Sequence, residues 1–230
     1  MLRSGDWQVL TFDCYGTLID WESGIWKALQ PVLAAHQVTA TKEKTLELYA
    51  ELEAEAERGE YREYKSVLKM VLAGFGARQG FAPTLAELQS LPDSIKNWLP
   101  FPDTVAALQV LKKKYKLAII SNVDDDLFAF SAQHLQVSFD WVITAQQVRS
   151  YKPSLNNFNR AIERIGVPKD KILHVAQSLF HDIVPAKAVG LSTVWVNRRY
   201  GQEGFGATPA AQARPDWQVP DLKTLAELAT

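Results

Sequence analysis

The second half of the chain alternates between short apolar runs and stretches in which apolar residues recur at helical spacing. The apolar runs, which predict buried strands, cover residues 117–120, 141–144, 172–175 and 193–196. Helical spacing lies between them, over residues 105–114, 156–165 and 183–189. Strands that alternate with helices in this way predict βαβ units and a parallel sheet that is covered on both faces.

One more apolar run, Val9–Phe12, precedes a long segment in which no strand is predicted. We assign this run to the same sheet, because a lone strand has nothing else to pair with. The segment that follows shows helical spacing only, and helices are predicted over 21–36, around 46–52, over 61–75 and after Pro83.

These patterns predict an α/β protein with a doubly wound, Rossmann-like parallel sheet and an all-helical cap inserted after the first strand. We expect the core to consist of residues 1–19 and 99–230 and the cap to consist of residues 20–98.

Composition and charge narrow the class of protein. The apolar fraction of 47% and the charged fraction of 22% are ordinary for a globular enzyme, and the net charge of −1 argues against nucleic acid or an anionic membrane as partner. No apolar run approaches the ~20 residues of a membrane span, and residues 1–6 lack the apolar centre of a secretory signal. Cys14 is the only cysteine, which excludes an intrachain disulfide. We expect a cytoplasmic enzyme and leave a homodimer open.

Polar residues follow four of the predicted strands at their carboxyl ends, where open α/β sheets bind their ligands. In chain order they are Asp13, then Ser121 and Asn122, then Lys152, and finally Gln177, Ser178 and Asp182. The first of them is followed by Gly16, which permits a sharp turn. An acid in such a place is suited to act as a covalent nucleophile.

Residues 11–18, TFDCYGTL, resemble the first motif of the haloacid dehalogenase superfamily, in which a nucleophilic aspartate ends the first strand. Most of that superfamily are magnesium-dependent phosphatases with a second aspartate two positions later. Here Tyr15 stands at that position, as in the 2-haloacid dehalogenase branch, which needs no metal. The later polar residues match the other motifs in order, so the resemblance extends over nearly the whole chain.

The resemblance implies that Asp13 is the nucleophile and that the other polar groups serve it. Lys152 supplies a cation that lowers the pKa of Asp13. Ser121 and Asn122 fix one oxygen of Asp13 so that the other attacks; their alternative use is helix capping.

Two further catalytic candidates each have an alternative explanation. Thr17 either hydrogen-bonds to Asp13 or caps a helix that begins near Leu18. Asp182 either orients Lys152 or activates the hydrolytic water, and its alternative use is to stabilise the first turn of a helix through the dipole.

Other residues are candidates for substrate contacts. Those assigned to the substrate pocket are Tyr15, Trp21, Gln177 and Ser178. His181 is a weaker candidate for the mouth of the pocket. Arg198 and Arg199 follow the predicted last strand, where they either bind a substrate carboxylate or serve the structure.

Magnesium requires two or three carboxylates in a phosphatase of this superfamily. Tyr15 replaces one expected acid and Gln177 another, so we expect no metal and no other cofactor. The acidic run 124–126 resembles a metal site, but it precedes an apolar helical pattern and is predicted to cap that helix. Glu47, Glu51 and Glu55 are predicted to form a solvated helix face.

The chain departs from the dehalogenase pattern at two places. Characterised L-2-haloacid dehalogenases carry an arginine after an aromatic residue on an early cap helix, where it receives the halide. The nearest counterpart here is Tyr49 followed by Ala50. The fourth motif, over residues 176–182, is also one residue longer. Both departures concern contacts with the substrate and the leaving group.

The sequence therefore predicts a metal-independent hydrolase in which Asp13 attacks the α-carbon of a small 2-haloalkanoic acid and forms an aspartyl ester. A related hydrolase with a nitrogen leaving group, for example one that opens azetidine-2-carboxylate, is the first alternative. A phosphatase and a non-catalytic binding protein are the others.

Overall fold

In the computed structural model, which describes residues 7–201, 204 and 206–229, six parallel strands form one sheet. Residues 1–6, on which the secretory-signal prediction rests, lie outside this part. The strands are β1 (Val9–Phe12), β2 (Lys116–Ser121), β3 (Trp141–Thr144), β4 (Ile172–Ala176), β5 (Ser192–Val196) and β6 (Trp217–Val219). Their order across the sheet is β3-β2-β1-β4-β5-β6.

The central position of β1 determines where the functional residues meet. Phe12, its last residue, is in register with Ile119 of β2 on one side and with Val175 of β4 on the other. The strand order reverses direction between β1 and β4. Because ligands of doubly wound sheets bind at this switch point, Asp13 leaves β1 beside the predicted ligand crevice.

Both faces of the sheet are covered, which explains why the strands are apolar without alternation. Leu10 and Phe12 belong to one hydrophobic core, and Val9 belongs to the core on the other face. The second core includes Phe158 and Ala161 on the buried side of a helix that is otherwise polar. The predicted doubly wound α/β fold is confirmed.

Helices account for most of the remaining described residues. Four lie between β1 and β2: α1 (Trp21–Ala35), α2 (Lys42–Ala56), α3 (Tyr64–Gln79) and α4 (Leu85–Ser94). The others are α5 (Thr104–Lys112), α6 (Asp125–Leu135), α7 (Ala145–Val148), α8 (Leu155–Ile165), α9 (Val184–Ala188) and α10 (Leu222–Ala229). We refer to α1–α4 as the cap helices. The domain division at residues 20 and 98 stays a prediction. Among the described residues, no helix is both long and apolar enough to cross a membrane.

The prediction that the last strand lies over residues 193–196 was wrong. A sixth strand, β6, pairs with β5 through the register Val194↔Trp217 and Val196↔Val219. It has only three residues, and the middle one, Gln218, is exposed. So short an edge strand has no apolar run from which it could be predicted.

The chain after Asp13 makes a turn, and the predicted helix near Leu18 is absent from this described segment. The amide of Gly16 donates to the carbonyl of Ile19 over 2.8 Å. The first helix, α1, begins only at Trp21 and is capped by Asp20, whose carboxylate accepts from the amide of Ser23. Thr17 therefore does not serve as a helix cap.

Of the acidic run 124–126, Asp124 directly precedes α6 and the other two acids lie in its first turn, but the carboxylate of Asp124 does not cap this helix. Asp124 instead accepts hydrogen bonds from the amides of Tyr64 and Lys65, over 2.8 and 3.0 Å. These are the first amides of α3, which lacks a capping side chain of its own at Glu63. Asp124 thus links the core to a cap helix by satisfying amides that a helix leaves free.

Candidate active site

The ammonium group of Lys152 joins the two predicted catalytic acids. Its Nζ donates to Asp13 Oδ1 over 2.8 Å, to Asp182 Oδ1 over 2.7 Å and to the carbonyl of Ile120 over 2.9 Å. The side chains of Lys152 and Asp182 are each 1% exposed, and that of Asp13 is 9% exposed. All three ammonium protons are therefore used, and Asp13 is the member of the trio that reaches solvent most.

The second oxygen of Asp13 is held by Thr17. Thr17 Oγ1 donates to Asp13 Oδ2 over 2.6 Å and accepts from the backbone N–H of Gln177 over 2.9 Å. The turn after β1 and the segment after β4 are thereby joined at one hydroxyl. Of the two predicted uses of Thr17, the structure has the hydrogen bond to Asp13.

Burial and charge act in opposite directions on these groups. Burial raises the pKa of Asp13 above its ordinary value, and the Lys152 ammonium reduces this rise without reversing it. Lys152 thus lowers the pKa of Asp13 as predicted, but the prediction left out desolvation, which raises it by more. For Asp182, burial is outweighed by Lys152 and His174, which hold its pKa low. Burial lowers the pKa of Lys152, but the two acids outweigh it and keep the pKa raised.

The predicted contact of Ser121 and Asn122 with Asp13 is not present. Asn122 binds the backbone of Lys152 instead: its Nδ2 donates to the Lys152 carbonyl over 3.0 Å, and its Oδ1 accepts from the Lys152 amide over 2.7 Å. Ser121 Oγ is buried and has no hydrogen-bond partner among the described residues. Neither residue caps α6, which follows Asp124.

A buried histidine of the sheet lies within hydrogen-bonding distance of Asp182. His174 of β4 has its Nε2 at 3.1 Å from Asp182 Oδ1 and its Nδ1 at 2.9 Å from Thr11 Oγ1. Because Asp182 lies within a single π-helical turn, Leu179–Ile183, its carboxylate is presented on a short, irregular segment. Asp182 Oδ2 is buried and unpartnered among the described residues. Asp182 lines the same pocket as Asp13.

The cavity of this pocket has a volume of about 30 Å³. The core contributes Asp13, Tyr15, Ser121, Asn122, Ser178, His181, Asp182 and Thr208, and the cap helices together with the segment that joins them contribute Trp21, Glu53, Glu57 and Tyr64. The predicted residues Lys152 and Thr17 lie behind Asp13, in contact with it. Burial lowers the pKa of His181 to about 4, so its ring is neutral at pH 7.

Of the four residues assigned to the substrate pocket, Gln177 is the one that does not line it. Its carbonyl accepts from the indole N–H of Trp195 over 2.8 Å, and its amide donates to Thr17. Ser178 does line the pocket, and its Oγ accepts from the amide of His181 over 2.9 Å. The ring of Tyr15 packs edge-on against Trp98.

Arg198 and Arg199 do not reach the pocket. Arg198 pairs with Asp103 over 2.7 Å and also donates to the carbonyl of Thr17. Arg199 pairs with Glu22 over 2.7 Å. Of the two predicted uses, both arginines have the structural one.

Two acids of the pocket were missed in the sequence: Glu53 and Glu57. Glu53 is 5% exposed, and its Oε1 accepts from the hydroxyls of Tyr49 and Tyr64 over 2.9 and 2.6 Å. Burial raises the pKa of Glu53 to about 7, although the tyrosine hydroxyls oppose the rise. Burial and then the charge of Glu53 raise the pKa of Glu57 well above its usual range. Helical spacing from Leu46 through Tyr49 to Glu53 was the available signal.

Comparisons with known proteins agree with this geometry. A model of the haloacid dehalogenase-like hydrolases matches residues 7–190. The chain is 27% identical over 218 residues to (S)-2-haloacid dehalogenase H-109 of Pseudomonas putida, covering 92% of this chain and 96% of that protein. It is 26% identical over 226 residues to haloacetate dehalogenase H-2 of Moraxella sp. (strain B), covering 96% and 97%.

A solved structure extends the likeness to three dimensions. The L-2-haloacid dehalogenase from Xanthobacter autotrophicus superposes with a TM-score of 0.80 at 25% identity and covers 96% of this chain and 98% of its own. The structure of that enzyme with chloropropionic acid covalently bound gives 0.79. The family match spans most of the chain, and the acids and the lysine stand where the motifs predicted them. The protein therefore belongs to the haloacid dehalogenase-like hydrolases.

Proposed function

We propose that the protein is a metal-independent hydrolase in which Asp13 attacks the α-carbon of a small 2-substituted carboxylic acid. The observation that carries the proposal is the position of Lys152 between Asp13 and Asp182. An ammonium group there offsets one of the two carboxylate charges, and Tyr15 stands at the position of a further acid. Asp13 lines the pocket and is the member of the trio that reaches solvent most.

The reaction takes place in two steps. An oxygen of Asp13 bonds to the α-carbon, the bond to the leaving group breaks, and its electron pair departs with that group. Water then attacks the carbonyl carbon of the aspartyl ester and releases a 2-hydroxy acid. Lys152 offsets the negative charge that develops on Asp13 in this second step.

Asp182 serves both steps through different oxygens. Its Oδ1 orients Lys152, and its Oδ2, which has no hydrogen-bond partner among the described residues, accepts the proton of the attacking water. His174 holds the same carboxylate in place from the side of the sheet. Thr17 is a positioning residue, because its hydroxyl fixes the rotation of the Asp13 carboxylate.

A 2-haloalkanoic acid is the leading substrate class, because the relatives named above act on haloacids or haloacetate. A nitrogen leaving group is the second candidate. It is favoured by Ala50, which stands where characterised dehalogenases have an arginine for the halide, and by the acids Glu53 and Glu57 in the pocket. We place the reaction in the cytoplasm, with a small molecule as partner.

Heavy-oxygen water tests the mode of attack. In a single turnover with 2-chloropropanoate or azetidine-2-carboxylate, in the presence of a chelator, the label should enter the peptide that contains Asp13. D13N should neither turn over nor acquire label. Label found only in the product would contradict covalent attack, and activity that requires added magnesium would favour a phosphatase.

A further inference from the structure

The wall of the pocket formed by α2 and the residue just beyond it is acidic. Glu53 and Glu57 lie one helical turn apart and both line the pocket that contains Asp13. Other acids of this helix are neutralised outside the pocket, since Glu51 and Glu55 pair with Arg78. Within the described part of the chain, neither Glu53 nor Glu57 has an ion-pair partner.

Glu53 is held so that one oxygen is left for a ligand. Tyr49 and Tyr64 both donate to Oε1, and their two hydroxyls are 3.1 Å apart. No described residue donates to Oε2. The carboxylate of Glu57, half-buried at the same wall, receives no hydrogen bond from the described residues either.

The opposite wall also has polar atoms without a partner. Ser121 Oγ and Asp182 Oδ2 are buried and make no hydrogen bond within the described residues. Buried polar atoms are rarely left unpaired in folded proteins, so these atoms indicate a bound ligand. Three of the four unpaired groups, those of Glu53, Glu57 and Asp182, are acceptors when ionised. Burial raises the pKa of Glu53 and Glu57 and favours their neutral forms, whereas a cation bound between them would favour the ionised forms.

The donors and charges of the pocket do not suit an anion at the wall formed by Glu53 and Glu57. Among the described residues, Lys152 is the only lysine or arginine in contact with Asp13, and its three protons are already used. A departing halide would add negative charge beside Glu53 and Glu57, whereas a protonated amine would bring both charge and N–H donors.

We propose that Glu53 and Glu57 bind a protonated amine of the substrate, so that the substrate is a small carboxylic acid that also carries an ammonium group. The hydroxyl of Ser121, which lines the pocket and has no partner among the described residues, is a donor for the carboxylate of such a molecule. This inference rests on the proposed attack by Asp13 and adds the substrate class.

Two matched substrates isolate the ammonium group. 2-Chloropropanoate and 3-amino-2-chloropropanoate have the same leaving group and the same reacting carbon, and they differ by one amine. The wild-type protein should favour the amine by about 10- to 100-fold in kcat/KM, the range expected for a buried charge contact. A wild-type preference for 2-chloropropanoate would overturn the inference without any variant.

Glutamine variants locate the contact. E53Q/E57Q should lose the preference for the amine, so that kcat/KM for 3-amino-2-chloropropanoate falls by about 10- to 100-fold more than kcat/KM for 2-chloropropanoate. E51Q, on the exposed side of α2, is the matched control and should leave both values unchanged. An equal fall for both substrates in the double variant would indicate a purely structural role and would refute the ammonium site.

Binding separates this inference from the proposed function. Titration calorimetry with methylammonium should detect binding to the wild-type protein and weaker binding to E53Q/E57Q. Binding without any labelling of Asp13 would leave the ammonium site in place and refute the covalent mechanism. Labelling of Asp13 with no binding of methylammonium and no preference for the amine would support the covalent mechanism and refute the ammonium site.

Discussion

The side chain of Asn122 makes two hydrogen bonds to the backbone of Lys152, one to the carbonyl of Lys152 and one from its backbone N–H. Asn122 follows β2, and Lys152 lies in the segment after β3, so this pair fixes the relative position of two adjacent crossovers. It also determines where the Lys152 side chain starts on its way to Asp13. The arrangement makes Asn122 a positioning residue that acts through Lys152.

The first prediction concerns this pair. N122A should lower kcat by about 10- to 100-fold, because a small displacement of a charged catalytic group is costly, while KM should change little. N156A, at an exposed position of α8, is the control and should match the wild type. Steady-state kinetics with thermal unfolding of each variant would check this. A rise in KM at unchanged kcat would instead place Asn122 in direct contact with the substrate.

The second prediction concerns the buried charge of Lys152. K152M leaves Asp13 and Asp182 together without a cation, and it should lower the free energy of unfolding at pH 8 by about 3–5 kcal/mol. The loss should shrink at pH 5, because protonation of one acid removes the repulsion.

Denaturant unfolding of K152M at both pH values measures this effect. K187M, which breaks the half-exposed pair with Asp216, is the control and should cost at most about 1 kcal/mol. If K152M lost as much stability relative to the wild type at pH 5 as at pH 8, the two acids would not be repelling each other in the variant.

The third prediction concerns the pH dependence that Glu53 gives to stability. Its pKa is raised from 4.5 to about 7 by burial, so the folded state binds a proton that the unfolded state has released. The associated stability is complete below about pH 4.5 and is lost as the pH rises through 7, a change of about 3 kcal/mol.

E53Q should remove this slope, so that its stability relative to the wild type increases between pH 5 and pH 8. E55Q, exposed on the same helix, should keep the wild-type slope. Urea unfolding across this pH range provides the measurement. A wild-type slope in E53Q would show that another group is responsible.

The fourth prediction concerns the turn after Asp13. Gly16 has φ +91°, and a Cβ placed on it would lie 2.9 Å from Trp21 Nε1. Gly80 has a similar φ of +79° with open space around it. G80A should therefore cost only the backbone strain, about 1 kcal/mol. G16A should cost about 1–3 kcal/mol more because of overpacking.

G16A should also lower activity, since Thr17 and Trp21 adjoin the turn, whereas G80A should leave kcat unchanged. Chemical unfolding and steady-state assays of the two variants would test this. Equal stability losses in the two alanine variants would mean that Trp21 moves aside without cost.

The sequence by itself determined the alternation of strands and helices, the parallel sheet, and the identity of Asp13, Lys152 and Asp182. Buried strands of a doubly wound sheet are apolar runs, and a polar residue at the end of such a run is conspicuous. These signals are local, because they depend on neighbouring residues alone. The strand β6 was not predicted, because its three residues at the edge of the sheet do not form an apolar run.

Only the tertiary structure decided which polar atoms meet. Asn122 makes its hydrogen bonds with Lys152 rather than with Asp13. The backbone N–H of Gln177 donates to Thr17, outside the pocket, and Asp124 caps a helix that begins 60 residues earlier in the chain. The cap brings Glu53 to the nucleophile although the two are far apart in the chain. Hydrogen bonds and desolvation depend on the positions of atoms in space, and these follow from the packing of distant elements, which no local pattern records.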